Sequence, residues 1–354
     1  MTIEDQIKEA LASPAIEVPS AGPVLAELRR RGAAQAHAPR RMVRPLLVAA
    51  AVTAIAAGGI AVVTTGDGGG GSAPAVRFAS AQQVLDTAAD RIHVAGDTPV
   101  PDGKYRYLDT RQWDTPSCGP SCGLPDGQLI SFRREIRTQT WQPSDIDGEW
   151  SRKVEVTGQR QWLFGTEEEA RSRGFDPTAL DKAVTGEWQA AGGRFPKGVY
   201  GYDGLLDEWS SPSKERLAQL PRDPEMLYQL LRPEADPKAT TAGAEVLQRA
   251  SRLLSTGAVP ADLREALYRA LIKTPDLKVT DQVANLDGRK GVALGVPTYK
   301  ARWEIIVDPD TGEFIGERQV QTESQAGFPA GTVIASSSVR VSVVDERGAV
   351  PAGN

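Results

Sequence analysis

The chain has 354 residues, a net charge of −5, 40% hydrophobic and 25% charged residues, so most of it can build a core. An acidic chain lacks the strongly basic face of a dedicated nucleic-acid binder, and no nucleic-acid partner is expected. Two Cys and two His exclude a multi-cysteine zinc module and leave little for metal binding or histidine catalysis; no metal site, cofactor or catalytic residue is expected.

Residues 1–44 read as a short tail with seven basic and five acidic residues and only two brief apolar helical patterns, around Ile3, Ile7 and Leu11 and around Val24, Leu25 and Leu28. So little apolar surface cannot close a core. Pro45 to Val63 then runs without a charge, and continued to Thr65 as a helix it spans about 30 Å, one hydrocarbon core. Arg40, Arg41 and Arg44 precede the run and no basic residue follows until Arg77, which orients the tail to the cytoplasm and the rest outside. The competing reading is a cleaved signal peptide, with an A-x-A site at Ala73 to Ala75. It would need an unusually long n-region and apolar run, so an uncleaved anchor is expected. The bilayer is therefore the expected partner of residues 45–65, and a cytoplasmic regulatory protein a candidate partner of the tail. Residues 66–76 are a Gly-rich linker, and residues 77–354 an extracytoplasmic domain.

Ser80 with Gln83 reads as a capping box opening a helix whose apolar face is Val84, Leu85, Ala88, Ala89 and Ile92. His93 follows as a partly exposed structural histidine. Strand alternation comes next: Tyr105, Tyr107 and Trp113 share one parity, as do Ile130, Phe132 and Ile136, with Arg133, Glu135 and Arg137 facing away from the latter. Val154, Val156, Trp162 and Phe164 continue the pattern.

Asp176-Pro177 and Asp223-Pro224 each read as an N-cap followed by proline in the first helical position. Val246–Leu254 and Leu263–Leu271 carry stripes separated by Gly257 and Pro260, which predicts a helical hairpin. Tyr299, Ala301, Trp303, Ile305 and Val307 alternate as a strand, Asp308 to Gly312 turns the chain, and Val333 to Val343 alternate again. The order predicts an α+β domain: a curved antiparallel sheet with helices packed on one face. The seven Trp read first as ordinary core packing; where a curved sheet leaves a gap against the helices, lined by Trp or Tyr, that gap would suit an acyl chain or apolar peptide.

Cys118 and Cys122 lie on a turn-rich stretch between strands, and outside the membrane they are expected to form a local disulfide. Ser211 and Lys214 match S-x-x-K, but no S-D-N or K-T-G follows, so the match is read as coincidence. Asp308 and Asp310 hint at a calcium loop, yet the glycine comes early and no Glu stands twelfth, which leaves a hairpin turn.

Five stretches together carry a resemblance: Phe132-Arg-Arg-Glu-Ile136, Leu220-Pro-Arg-Asp-Pro224, Leu263 to Leu271, Gly288-Arg-Lys-Gly-Val292 and Ile306 to Gly312. With the tail–span–domain layout, the chain resembles an actinobacterial family of single-pass membrane-anchored proteins, some encoded beside extracytoplasmic-function sigma factors. The family has no established activity, so the resemblance implies an anchored, non-enzymatic regulator or sensor and no catalytic residue. The element order is also similar to the half-barrel of periplasmic lipoprotein carriers and envelope-stress regulators. That analogy implies an envelope ligand or protein partner, or, as the alternative, lipid or lipoprotein handling.

Overall fold

The computed structural model describes residues 78–195, 208–233, 242–324 and 328–351. The expected tail (1–44), membrane helix (45–65) and linker (66–76) lie outside the described residues. Among the described residues no helix is long and apolar enough to cross a membrane.

The domain opens with helix α1 (Ala81–Ala95), followed by strands β1 (Tyr105–Asp114), β2 (Ser117–Cys118), β3 (Ile130–Pro143) and β4 (Glu149–Phe164). Helices α2 (Glu167–Ser172) and α3 (Pro177–Val184) precede strand β5 (Gly186–Ala191). Helices α4 (Lys214–Gln219), α5 (Pro224–Leu231), α6 (Ala242–Ser255) and α7 (Ala261–Leu271) follow. Strands β6 (Lys278–Leu286), β7 (Arg289–Pro297), β8 (Ala301–Val307), β9 (Phe314–Gln321) and β10 (Val333–Val344) complete the α+β domain.

All the strands join one antiparallel sheet in the order β5-β4-β3-β1-β10-β9-β8-β7-β6, with β2 beside β3. The sheet is open, ending at β5 and β6, and does not close into a barrel. The last strand holds its middle: β10 pairs with β1 on one side and β9 on the other, uniting an N-terminal and a C-terminal meander. Register irregularities interrupt the β3–β4, β6–β7, β8–β9 and β9–β10 ladders, and such bulges bend strands and raise their twist.

The helix signals act as the sequence predicts. Ser80 caps α1 through the Gln83 amide, while the Gln83 side chain accepts from Ala79 N–H, one residue earlier than a strict capping box. Asp176 and Asp223 cap α3 and α5 through Thr178 and Met226 N–H, each ahead of a first-turn proline. The α6–α7 hairpin buries Leu247, Leu253, Leu263, Leu267 and Leu271 completely, against Leu294 of β7 and Ile305 and Val307 of β8. Each such leucine contributes about 1.5–3 kcal/mol. Tyr268 adds a hydrogen bond of 3.0 Å from its hydroxyl to the Gly312 carbonyl, tying α7 to the β8–β9 turn.

Four of the Trp pack as the sequence favours: Trp150 and Trp209 are buried in the core shared by helices and sheet, and Trp188 and Trp303 pack against it. Tyr105, Tyr107 and Trp113, which share a parity, stand outside that core. Leu108 pairs with Thr140 and Tyr107 with Trp141, so alternate β1 residues point to opposite faces, and the aromatic set lies on the face that carries no helix among the described residues. One expectation is corrected at Tyr299, which is 75% exposed: the strand starts only at Ala301, after Lys300 takes a positive φ of 58°.

Candidate functional site on the helix-free face

Helices α1 and α4–α7 share one core, and the sheet side chains in it include Leu294, Ile305 and Val307. The alternate side chains of the same strands form the other face. Near β3 that face carries Tyr107, Trp141 and Val344, over which the C-terminal segment folds. Trp141 Nε1 donates to the Ala349 carbonyl at 2.7 Å, and Lys104 pairs with Asp345 at 2.7 Å.

Toward β9 and β10 the helix-free face changes to charge. Arg137 grips the buried Asp109 with two hydrogen bonds of 2.8 and 2.9 Å, and that pairing holds the guanidinium pKa above its ordinary value. Glu304 of β8 is wholly buried and takes one guanidinium on each oxygen, Arg302 on one and Arg318 on the other. Arg318 also donates to Asp281 at 3.1 Å. Burial pulls the Arg318 pKa down, but its bonds to Glu304 and Asp281 outweigh it and leave the pKa raised.

Between these pairs lies a cavity of about 240 Å³, lined by Arg111, Trp113, Arg133, Asp287, Arg318 and Ser338, with Asn285, Leu286, Val333 and Ser336 completing the wall. Its rim is set by the β6–β7 turn. Asp287 and Gly288 have φ of 52° and 75°, the doubly positive pair of a tight type I′ hairpin, for which Asp-Gly is a preferred sequence. Arg340 holds that turn, donating to the Asp287 carbonyl at 2.6 Å and to its carboxylate at 3.2 Å.

The two guanidiniums at this end of the wall differ in their partners. Arg111 forms ion pairs with Glu135 at 3.7 Å and Asp287 at 3.8 Å, each too long for a hydrogen bond. Arg133 lies 5.1 Å over the Trp113 ring, its Nε is buried with no acceptor, and among the described residues it has no carboxylate partner. Burial lowers its pKa from the ordinary arginine value.

The residues singled out by sequence fall elsewhere. Cys118 and Cys122 are disulfide-bonded with Cα atoms 5.9 Å apart, in a short turn after β2. Ser211 donates its hydroxyl to the Gly193 carbonyl at 3.1 Å, and Lys214 opens α4 with its amide bonded to Asp147. Their S-x-x-K spacing thus serves a loop and a helix start. Asp308 organises its turn by accepting from Asp310 N–H at 2.9 Å and from the Thr311 hydroxyl at 2.9 Å, so the hairpin reading holds. His93 is exposed on α1, its Nδ1 3.0 Å from Glu265. Among the described residues no group of three or more His, Cys, Asp or Glu is placed to hold a metal ion.

Of the seven Trp, Trp113 alone lines this cavity. Sequence reasoning turned Arg133 away from Phe132 but did not single it out as a site residue. The Asp287-Gly288 hairpin signal was present in the sequence and marks one wall.

No family model and no curated protein matches the chain. A solved structure titled "Crystal structure of MucB in complex with MucA(peri)" is similar at 12% identity, covering 77% of this chain and 57% of that one, with a TM-score of 0.22. The chain thus matches little more than half the length of that structure, and the likeness is too slight to assign a shared fold.

Proposed function

We propose that this chain is a single-pass membrane protein with a cytoplasmic tail and an extracytoplasmic domain that binds a protein partner and relays that binding, without catalysis of its own. The uncharged run from Pro45 to Val63 with its preceding arginines supports the anchor and its orientation. The Cys118–Cys122 disulfide suits an oxidising compartment.

The observation that carries the binding reading is the cavity on the helix-free face. A sheet face with no helical layer normally needs only a solvated polar surface. This one holds a recess with a guanidinium that has no carboxylate partner among the described residues, a second held only by long ion pairs, and an aromatic wall, which is the composition of a recognition surface. The acyl-carrier alternative needs an apolar gap beneath the helices, where Trp150 and Trp209 are buried in the core.

The test is a photoreactive amino acid placed at Trp113, on the cavity wall, or at Met226, on the outer side of α5, in the full chain in native membranes. The reading expects a discrete protein adduct from position 113 and none from 226. Adducts from 226 alone would overturn it. So would hydrolysis of an envelope substrate by the full chain, abolished by changing a single acidic or Ser residue.

A further inference from the structure

The charge pattern around the cavity identifies what it takes. Arg111, Arg133, Arg302, Arg318 and Arg340 face Asp281, Asp287, Glu135 and Glu304, five guanidiniums against four carboxylates. Arg302, Arg318 and Arg340 each sit against a carboxylate, and Arg137 nearby grips one with a two-pronged bond. Arg133 breaks the pattern. Its guanidinium lies 5.1 Å from the Trp113 ring centroid, its Nε is buried without an acceptor, and the side chain lines the cavity.

We propose that the cavity binds a carboxylate, an Asp or Glu side chain on an acidic segment of a protein partner, with Arg133 as the anchoring residue. This rests on the reading of the helix-free face as the binding face. The deficit is one charge, which a monoanionic carboxylate fills and a phosphate dianion overfills. A fixed guanidinium fork matches the flat carboxylate in a two-pronged bond. Arg111, whose acceptors are 3.7 and 3.8 Å away, is free to turn one N–H to the incoming group. Ser336 and Ser338 offer hydroxyls and Asn285 an amide along the same wall. The volume, about 240 Å³, lies below the roughly 300–1,000 Å³ of a site for a whole drug-sized ligand. The cavity therefore fits the end of a side chain belonging to something larger. The cation–π contact with Trp113 restrains the guanidinium before binding, so less conformational freedom is lost when the carboxylate arrives.

The experiment is fluorine NMR of the full chain in detergent, labelled with 5-fluorotryptophan, with the Trp113 resonance assigned by Trp113→Phe. The probes are the blocked peptide Gly-Gly-Glu-Gly-Gly, its Gln counterpart and inorganic phosphate. The expected result is a saturable shift of the Trp113 signal by the Glu peptide, with Kd on the order of 1 mM. The Gln peptide should leave the signal unmoved. Arg133→Met should weaken binding at least tenfold and Arg133→Lys by less, with the other Trp signals unchanged as the measure of intact folding. Equal shifts by both peptides, unchanged affinity in Arg133→Met, or tighter binding of phosphate than of the Glu peptide would each overturn the assignment. Photo-crosslinks from position 113 that persist in Arg133→Met would overturn it while leaving the binding face standing. Their absence from the unsubstituted protein would remove the reading beneath it.

Discussion

Replacing Glu304 by Gln should destabilise the protein more than most single polar changes. Glu304 is fully buried in the centre of β8, and its two oxygens each receive one guanidinium, from Arg302 and Arg318. The two arginine side chains keep 30% and 15% of their surface, so both remain largely withdrawn from water. Gln supplies one acceptor oxygen, and its amide NH2 then confronts the N–H of the other arginine. Both guanidiniums lose the charge of Glu304; Arg318 keeps Asp281, whereas Arg302 has no other carboxylate among the described residues, at a cost of about 3–5 kcal/mol. At roughly 2–4 °C per kcal/mol for a domain of this size, the midpoint of thermal unfolding should fall by about 6–20 °C. Thermal unfolding of the full chain followed by circular dichroism measures it. A fall of less than about 2 °C would refute the claim that Glu304 anchors this network. In the double variant Glu304→Met with Arg318→Met, the two losses should be clearly non-additive.

Other expectations follow from particular residues. A methyl group on Gly316 would run into the Ser337 carbonyl and the Leu286 side chain, so Gly316→Ala should cost about 1–3 kcal/mol in urea denaturation by forcing β9 from β10. Glu317 is only half-buried as a residue, yet its carboxyl lies under α6, accepts from the Ser251 hydroxyl, and is pushed by burial above the usual carboxylate range. A raised pKa means the folded state holds that proton more tightly than the unfolded chain. Its contribution is therefore complete below the unfolded value near ~4.3 and is lost as pH rises through the folded value. Glu317→Gln should accordingly flatten this loss, gaining on the parent as pH rises toward neutrality in a pH series of unfolding midpoints. Replacing Cys118 and Cys122 with Ser should cost at most about 2 kcal/mol, because the closed loop is very short. Non-reducing peptide mapping of the parent should show the linked peptide.

The parts of the fold legible in the sequence are those whose signals are local. The α1 stripe, the Asp-Pro starts of α3 and α5, the α6–α7 hairpin and the alternation of β10 each depend on neighbours within a few turns or residues, and each forms. Strands β5, β6 and β7 escaped. β5 is a six-residue edge strand, and β6 has two register irregularities that blur its alternation. In β7, Gly291 and Gly295 interrupt the run because Val307 and Glu304 approach too closely for a side chain. Parity shows that Tyr107 and Trp113 lie on one face, but only the β1–β3 register shows that this face is opposite to the helices.

The cavity was hidden for a related reason. Arg133 visibly points away from Phe132, but its Trp113 platform, the Ser338 wall and the Asp287 rim come from two other strands and a turn spread over more than 200 positions. Charges in such a strand read as a solvated face until the pairing of β1 with β10 places Arg111 across from Ser338. The shortage of one carboxylate is a property of the assembled sheet.

The claim that the helix-free face is the one the partner covers can be measured directly by hydroxyl-radical footprinting of the chain in native membranes and again after purification. Trp113 lines the cavity, and Met226, 60% exposed, stands on the outer side of the helical layer. The account predicts that oxidation of Trp113 is suppressed in native membranes and rises on purification, while Met226 is oxidised equally in both. Protection of Met226 with Trp113 unchanged would contradict it.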